Sequence, residues 1–106
     1  MTLEELHDLQ EDFNINMHYN YIILYHATTK ENAEQIIKTQ SMYGKEDSLF
    51  FSTKPNGQII GYGNTIIEVL IPYYKVIIDD QFTDELHFRM PCKPFIKYSI
   101  KAKLYK

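Results

Sequence analysis

The chain lacks tryptophan altogether and holds one cysteine, four glycines and four prolines in 106 residues. A lone cysteine, Cys92, excludes an internal disulfide, so stability has to come from packing. Basic charge is also scarce. Arg89 is the single arginine, and 11 Lys and Arg stand against 14 Asp and Glu for a net charge of −3. Nucleic-acid-binding domains carry a basic stripe that displaces counterions, and no such excess exists here. No apolar run approaches the length of a membrane span, and the first residues are acidic (Glu4, Glu5) where a signal peptide is basic. Nucleic acid and membrane are therefore not expected partners, and a cytoplasmic location is. Gly57, Gly61 and Gly63 are too scattered, and lack the following lysine, for a phosphate-binding loop. His7, His18, His26 and His87 show no metal-ligand spacing with one another or with Cys92, so no metal centre is expected.

What is present is enough to fold. Hydrophobic residues make up 44% of the chain and nine tyrosines are among them, which suits one domain over 1–106. Thr2 and Glu5 form a capping-box pattern ahead of Leu3, Leu6 and Leu9, predicting a helix over 3–12. Tyr21-Ile-Ile-Leu-Tyr25 is a short apolar run of β-formers that predicts a buried strand. Thr28 with Glu31 is a second capping-box pattern, and Ala33, Ile36 and Ile37 share one face of a helix over 29–39. Residues 41–47 read as a loop, 49–52 as a strand closed by the turn at Lys54-Pro-Asn-Gly57, and 65–71 as a strand ended by Pro72. Extended structure resumes at 76–78 and stops at Asp79-Asp80. Ile96, Tyr98, Ile100, Ala102 and Leu104 alternate with Lys97, Ser99, Lys101 and Lys103, predicting one half-exposed strand. Helices first and strands after give an α+β class.

Several of these stretches carry a resemblance. Leu24-Tyr-His-Ala-Thr28 resembles the first-strand motif of ADP-ribosyltransferases, an apolar strand ending in Tyr-His-Gly-Thr, and the helix after it matches as well. Leu49-Phe-Phe-Ser-Thr53 is similar to the family's second element. Ile60-Gly-Tyr-Gly63 stands where the family places an aromatic on a short helix. The likeness runs from about residue 22 to 80. It implies a small split β-sandwich, a pair of strongly bent sheets, with one or two N-terminal helices. It also implies NAD as substrate. Cleavage of the nicotinamide–ribose bond passes through an oxocarbenium-like state, so the domain must hold the dinucleotide bent and stabilise positive charge at the ribose.

The resemblance assigns roles residue by residue. His26 contacts the adenosine-side ribose, with Thr28 closing the same nucleotide-binding motif. Phe50 takes the place of a stacking tyrosine, Tyr62 falls near the second aromatic position, and Ser52 corresponds to a serine that shapes the nicotinamide wall. The family's late-strand glutamate is matched by Asp84-Glu-Leu-His-Phe-Arg-Met-Pro91, where alignment on the proline puts His87 in its place and Glu85 two residues earlier. A second alignment, on the small rifampin-modifying transferases, nominates Asp80, with Asp79 beside it. Glu85, Asp80 and His87 are thus the catalytic candidates. Glu85 is preferred, because the two-residue spacing to His87 puts both side chains on one strand face.

The leading expectation is mono-ADP-ribosyl transfer from NAD to a macromolecular or small acceptor, most naturally a protein. One alternative is a degenerate, non-enzymatic domain that binds NAD, an ADP-ribose-like nucleotide or a protein partner, for example as a viral or mobile-element inhibitor of host defence. Another is a relative that removes an RNA 2′-phosphate using NAD. That chemistry leans on several basic residues, and this chain has one arginine.

Overall fold

The computed structural model describes residues 1–44 and 46–106; Lys45, inside the expected 41–47 loop, lies outside the described residues. Helix α1 (Leu3–Asp12) begins as its sequence dictates. The Thr2 hydroxyl accepts from the Glu5 N–H at 3.1 Å, and the Glu5 carboxylate accepts from the Thr2 N–H at 3.1 Å, satisfying two otherwise orphaned donors. Helix α2 (Lys30–Thr39) is capped by Thr29, one residue later than the sequence pattern suggests. The Thr29 hydroxyl accepts from the Asn32 N–H at 3.2 Å, while Thr28 stays extended and its hydroxyl accepts from the Asn32 side-chain amide at 2.7 Å. Strand pairing as far as Thr28↔Thr65 decides between the two threonines. The helix ends at Gln40 in a left-handed conformation, and that side chain bonds both the N–H and the carbonyl of Ala102 at 2.8 Å.

The strands are β1 (Asn16–His18), β2 (Tyr21–Thr28), β3 (Ser41–Tyr43), β4 (Ser48–Ser52), β5 (Thr65–Pro72), β6 (Ile77–Gln81), β7 (Leu86–Pro91), β8 (Lys97–Ser99) and β9 (Lys101–Leu104). Seven of them form one antiparallel sheet in the order β6-β7-β4-β2-β5-β9, with β1 attached to β2; β3 and β8 pair separately. The α+β class is therefore present as two helices and antiparallel sheet. Ile22 and Leu24 of β2, Ile67, Val69 and Ile71 of β5, and Phe51 and Phe88 of β4 and β7 build the main core. Leu6, Ala33 and Ile36 from the helices pack into it.

The large sheet has a weak seam. β2 pairs with β5 along its whole length, from Tyr21↔Pro72 to Thr28↔Thr65, but meets β4 through the single pair Tyr25↔Ser52. On the far side, β4 is fully laddered to β7 from Ser48↔Pro91 to Ser52↔His87. Next to the Tyr25↔Ser52 pair the His26 ring reaches β4, its Nδ1 2.8 Å from the Phe50 carbonyl oxygen.

Three local expectations change, and one strand forms where no element was expected. The 41–47 stretch contains β3, and the asparagine-rich stretch before Tyr21 contains β1. Strand β6 runs through Asp79-Asp80 to Gln81. The alternating C-terminal run is two strands broken at Ile100, because β8 pairs with β3 and β9 with β5.

Candidate functional site: a cleft at the parted strands

The parting of β2 from β4 opens a cleft of about 780 Å³, walled on one side by α2 and on the other by β4. That volume lies within the range of small-molecule sites, roughly 300–1,000 Å³. His26 sits near the C-terminal end of the central strand β2, half-buried, and lines the cleft, with its ring centroid 5.6 Å from that of Phe51. Thr28, Phe50, Tyr62 and His87 line the same cleft. Tyr62 ends a short 3-10 helix, Gln58–Tyr62, that hangs over the strand ends by its one buried residue, Ile59. Gly63 closes this helix against β2: a Cβ there would stand 2.7 Å from the Thr28 Cα, so no larger residue lets the segment approach. Phe50 and Tyr62 are exposed, at 46% and 75%, and present ring surface to whatever enters.

Behind the cleft wall lies a buried polar knot. Glu85 is only 3% exposed, and its partners come from three segments of the chain. The Ser52 hydroxyl donates to its Oε2 at 2.8 Å, the Gln58 N–H donates at 3.1 Å, and His87 Nε2 stands 2.6 Å away. Burial works against the charged carboxylate, but the hydrogen bonds from Ser52, His87 and the Gln58 backbone outweigh it and hold Glu85 below its ordinary value. Gly57 makes the arrangement sterically possible, since a Cβ there would overlap Glu85 Oε1. The Phe82 ring packs against His87 at a centroid distance of 4.9 Å.

The sequence candidates separate into three groups. His26, Thr28, Phe50, Tyr62 and His87 converge on the cleft. Ser52 and Glu85 are brought together just outside it, so Ser52 holds the carboxylate and does not form the wall expected of it. Asp80 is not among the cleft residues; it is exposed and accepts from the Gln81 N–H at 2.8 Å. Its neighbour Asp79 lines the cleft instead and lies 3.9 Å from the Arg89 guanidinium. A register shift between Ile78 and Asp80 sets this exchange, because a bulge re-aims the side chains that follow it. Strand alternation cannot reveal a bulge from one sequence.

Residues not singled out from sequence also contribute. Lys97 brings a cation to the cleft, and Asn32 and Gln35 bring amides from α2. The Gln58 N–H clamps Glu85 and Gly57 leaves room for it; the turn-forming cluster that ends at Gly57 was the available signal. Cys92 is half-buried, and burial together with Asp47 pushes its thiol up, away from nucleophilic chemistry. Among the described residues no group of three or more His, Cys, Asp or Glu could hold a metal ion, and no helix is long and apolar enough to cross a membrane. Comparison with known proteins gives no match to a family model, a curated protein or a solved structure.

Proposed function

We propose that this chain is a small ADP-ribosyltransferase-type domain that takes NAD into the cleft beside His26 and transfers ADP-ribose to a macromolecular or small acceptor. The supporting observation is convergence. The stretches that carry the resemblance are far apart in sequence, yet β4 lies between β2 and β7, which puts His26 on one side of β4 and the Glu85–His87 pair on the other, with Ser52 of β4 bonded to Glu85. The sheet's parting between β2 and β4 agrees with the split architecture that the resemblance implies. The cleft offers what NAD requires: exposed ring faces at Phe50 and Tyr62 for a flat base, imidazole and hydroxyl groups at His26 and Thr28 for a ribose, and Lys97 for a phosphate.

A second reading, binding without cleavage, is favoured by one observation. Glu85 does not line the cleft, and its carboxylate is engaged by Ser52, Gln58 and His87. Incubation with NAD labelled in the adenylate half, with a cell lysate as acceptor, separates the two. Transferred label with nicotinamide released supports the enzyme; NAD binding with neither supports the sequestering module.

A further inference from the structure

Glu85 and His87 together can do what a buried carboxylate alone cannot. Glu85 is held ionised, so it only accepts hydrogen bonds, and its 2.6 Å contact with His87 Nε2 puts the imidazole proton on that nitrogen. In the neutral ring the lone pair then belongs to Nδ1. That atom makes no hydrogen bond among the described residues, and His87 is one of the residues that line the cleft. The ring's plane is fixed twice, by Glu85 at one nitrogen and by the edge of Phe82. Glu85 is fixed in turn by Ser52 and the Gln58 N–H. A carboxylate that orients an imidazole and stabilises its protonated form is the arrangement of a general base.

On the ADP-ribosyl-transfer reading, we propose that His87 is the general base of the acceptor step and that the acceptor is a neutral hydroxyl, carried by a protein side chain or by a small molecule. The hydroxyl oxygen forms a bond to the ribose carbon as the carbon–nitrogen bond to nicotinamide breaks. The electron pair of the broken bond returns to the nicotinamide ring nitrogen and cancels its positive charge. The hydroxyl proton passes to His87 Nδ1, the Glu85 carboxylate stabilises the imidazolium, and solvent later removes the proton. The balance is an O-linked ADP-ribosyl acceptor, neutral nicotinamide and one proton. A carboxylate acceptor arrives deprotonated and has no need of this base. A guanidinium arrives cationic, and its charge adds to the positive charge developing at the ribose. A hydroxyl becomes acidic as its new bond forms, which matches the base to the acceptor.

The test uses the full chain, adenylate-labelled NAD, a lysate, and separately a panel of small alcohols. His87→Gln should lose about 100-fold or more of the transfer rate, with NAD affinity falling far less. His87→Gly should regain transfer when free imidazole is added, a rescue that a purely structural residue would not show. The product should resist neutral hydroxylamine, which releases carboxyl esters. Label in acid-precipitated protein that also survives mercuric ion, which cleaves cysteine thioglycosides, identifies a side-chain hydroxyl, and a labelled soluble product separated from NAD and free ADP-ribose identifies a small alcohol. Full activity of His87→Gln, or hydroxylamine release of the label, overturns the base and its acceptor while leaving the transferase reading intact. A native protein that neither binds NAD nor releases nicotinamide overturns both.

Discussion

Ser52 and Glu85 stand 33 residues apart in the chain and meet side chain to side chain at 2.8 Å, both shielded from solvent. A hydroxyl that donates to a buried carboxylate contributes about 1.5–3 kcal/mol, because its removal leaves the charge under-satisfied. Ser52→Ala should destabilise the fold by that amount in urea unfolding. The effect carries a pH signature. Glu85 is held below its ordinary value, so its bonds stabilise fully above the ordinary carboxylate range and are lost as pH falls through the lower folded value. Without Ser52 that folded value rises, and the acid-unfolding midpoint followed by circular dichroism should move to higher pH.

Two glycines of the same segment should respond in opposite ways. Gly57→Ala drives a methyl group into Glu85 and should cost about 1–3 kcal/mol. Gly61→Ala meets nothing within 4 Å and should stay within about 0.5 kcal/mol of the parent in the same unfolding assay. Equal effects at the two positions would mean that Gly57 does not seat the carboxylate.

Tyr62 separates binding from stability. At 75% exposure it adds little to the core, so Tyr62→Ala should leave the unfolding free energy within about 0.5 kcal/mol of the parent. Stacking on a base is worth about 0.5–1.5 kcal/mol, so titration calorimetry should show NAD affinity falling by about two- to twelve-fold. Phe50→Ala should behave similarly toward NAD.

How much of this was legible depended on distance along the chain. The Thr2–Glu5 cap and α1 are written in neighbouring residues, and the sequence reading of 3–12 matches Leu3–Asp12. The cap of α2 slipped by one because Thr28 and Thr29 have the same chemistry, and only pairing with β5 selects between them. The three-residue strands β1 and β3 show too little alternation to be seen, and β3 exists because β8 returns to it. The placement of His26 and the contact of Glu85 with His87 could be read from an apolar strand's end and a two-residue spacing, although Glu85 precedes β7 and does not share a strand face with His87. The bond between Ser52 and Glu85 could not, since it rests on β4 and β7 lying side by side. Nor could the choice of Asp79 over Asp80 at the cleft, which a bulge decides.

The central claim is that the cleft between β2 and β4 takes NAD. Titration of the isotopically labelled protein with NAD, followed by amide and imidazole NMR shifts, tests it most directly. Saturable shifts should gather at His26, Thr28, Phe50, Tyr62 and His87, and His26→Ala should weaken the titration. Saturating NAD that moves none of these signals, or moves only those of the groove around Lys30, Ile37 and Leu104, would contradict it.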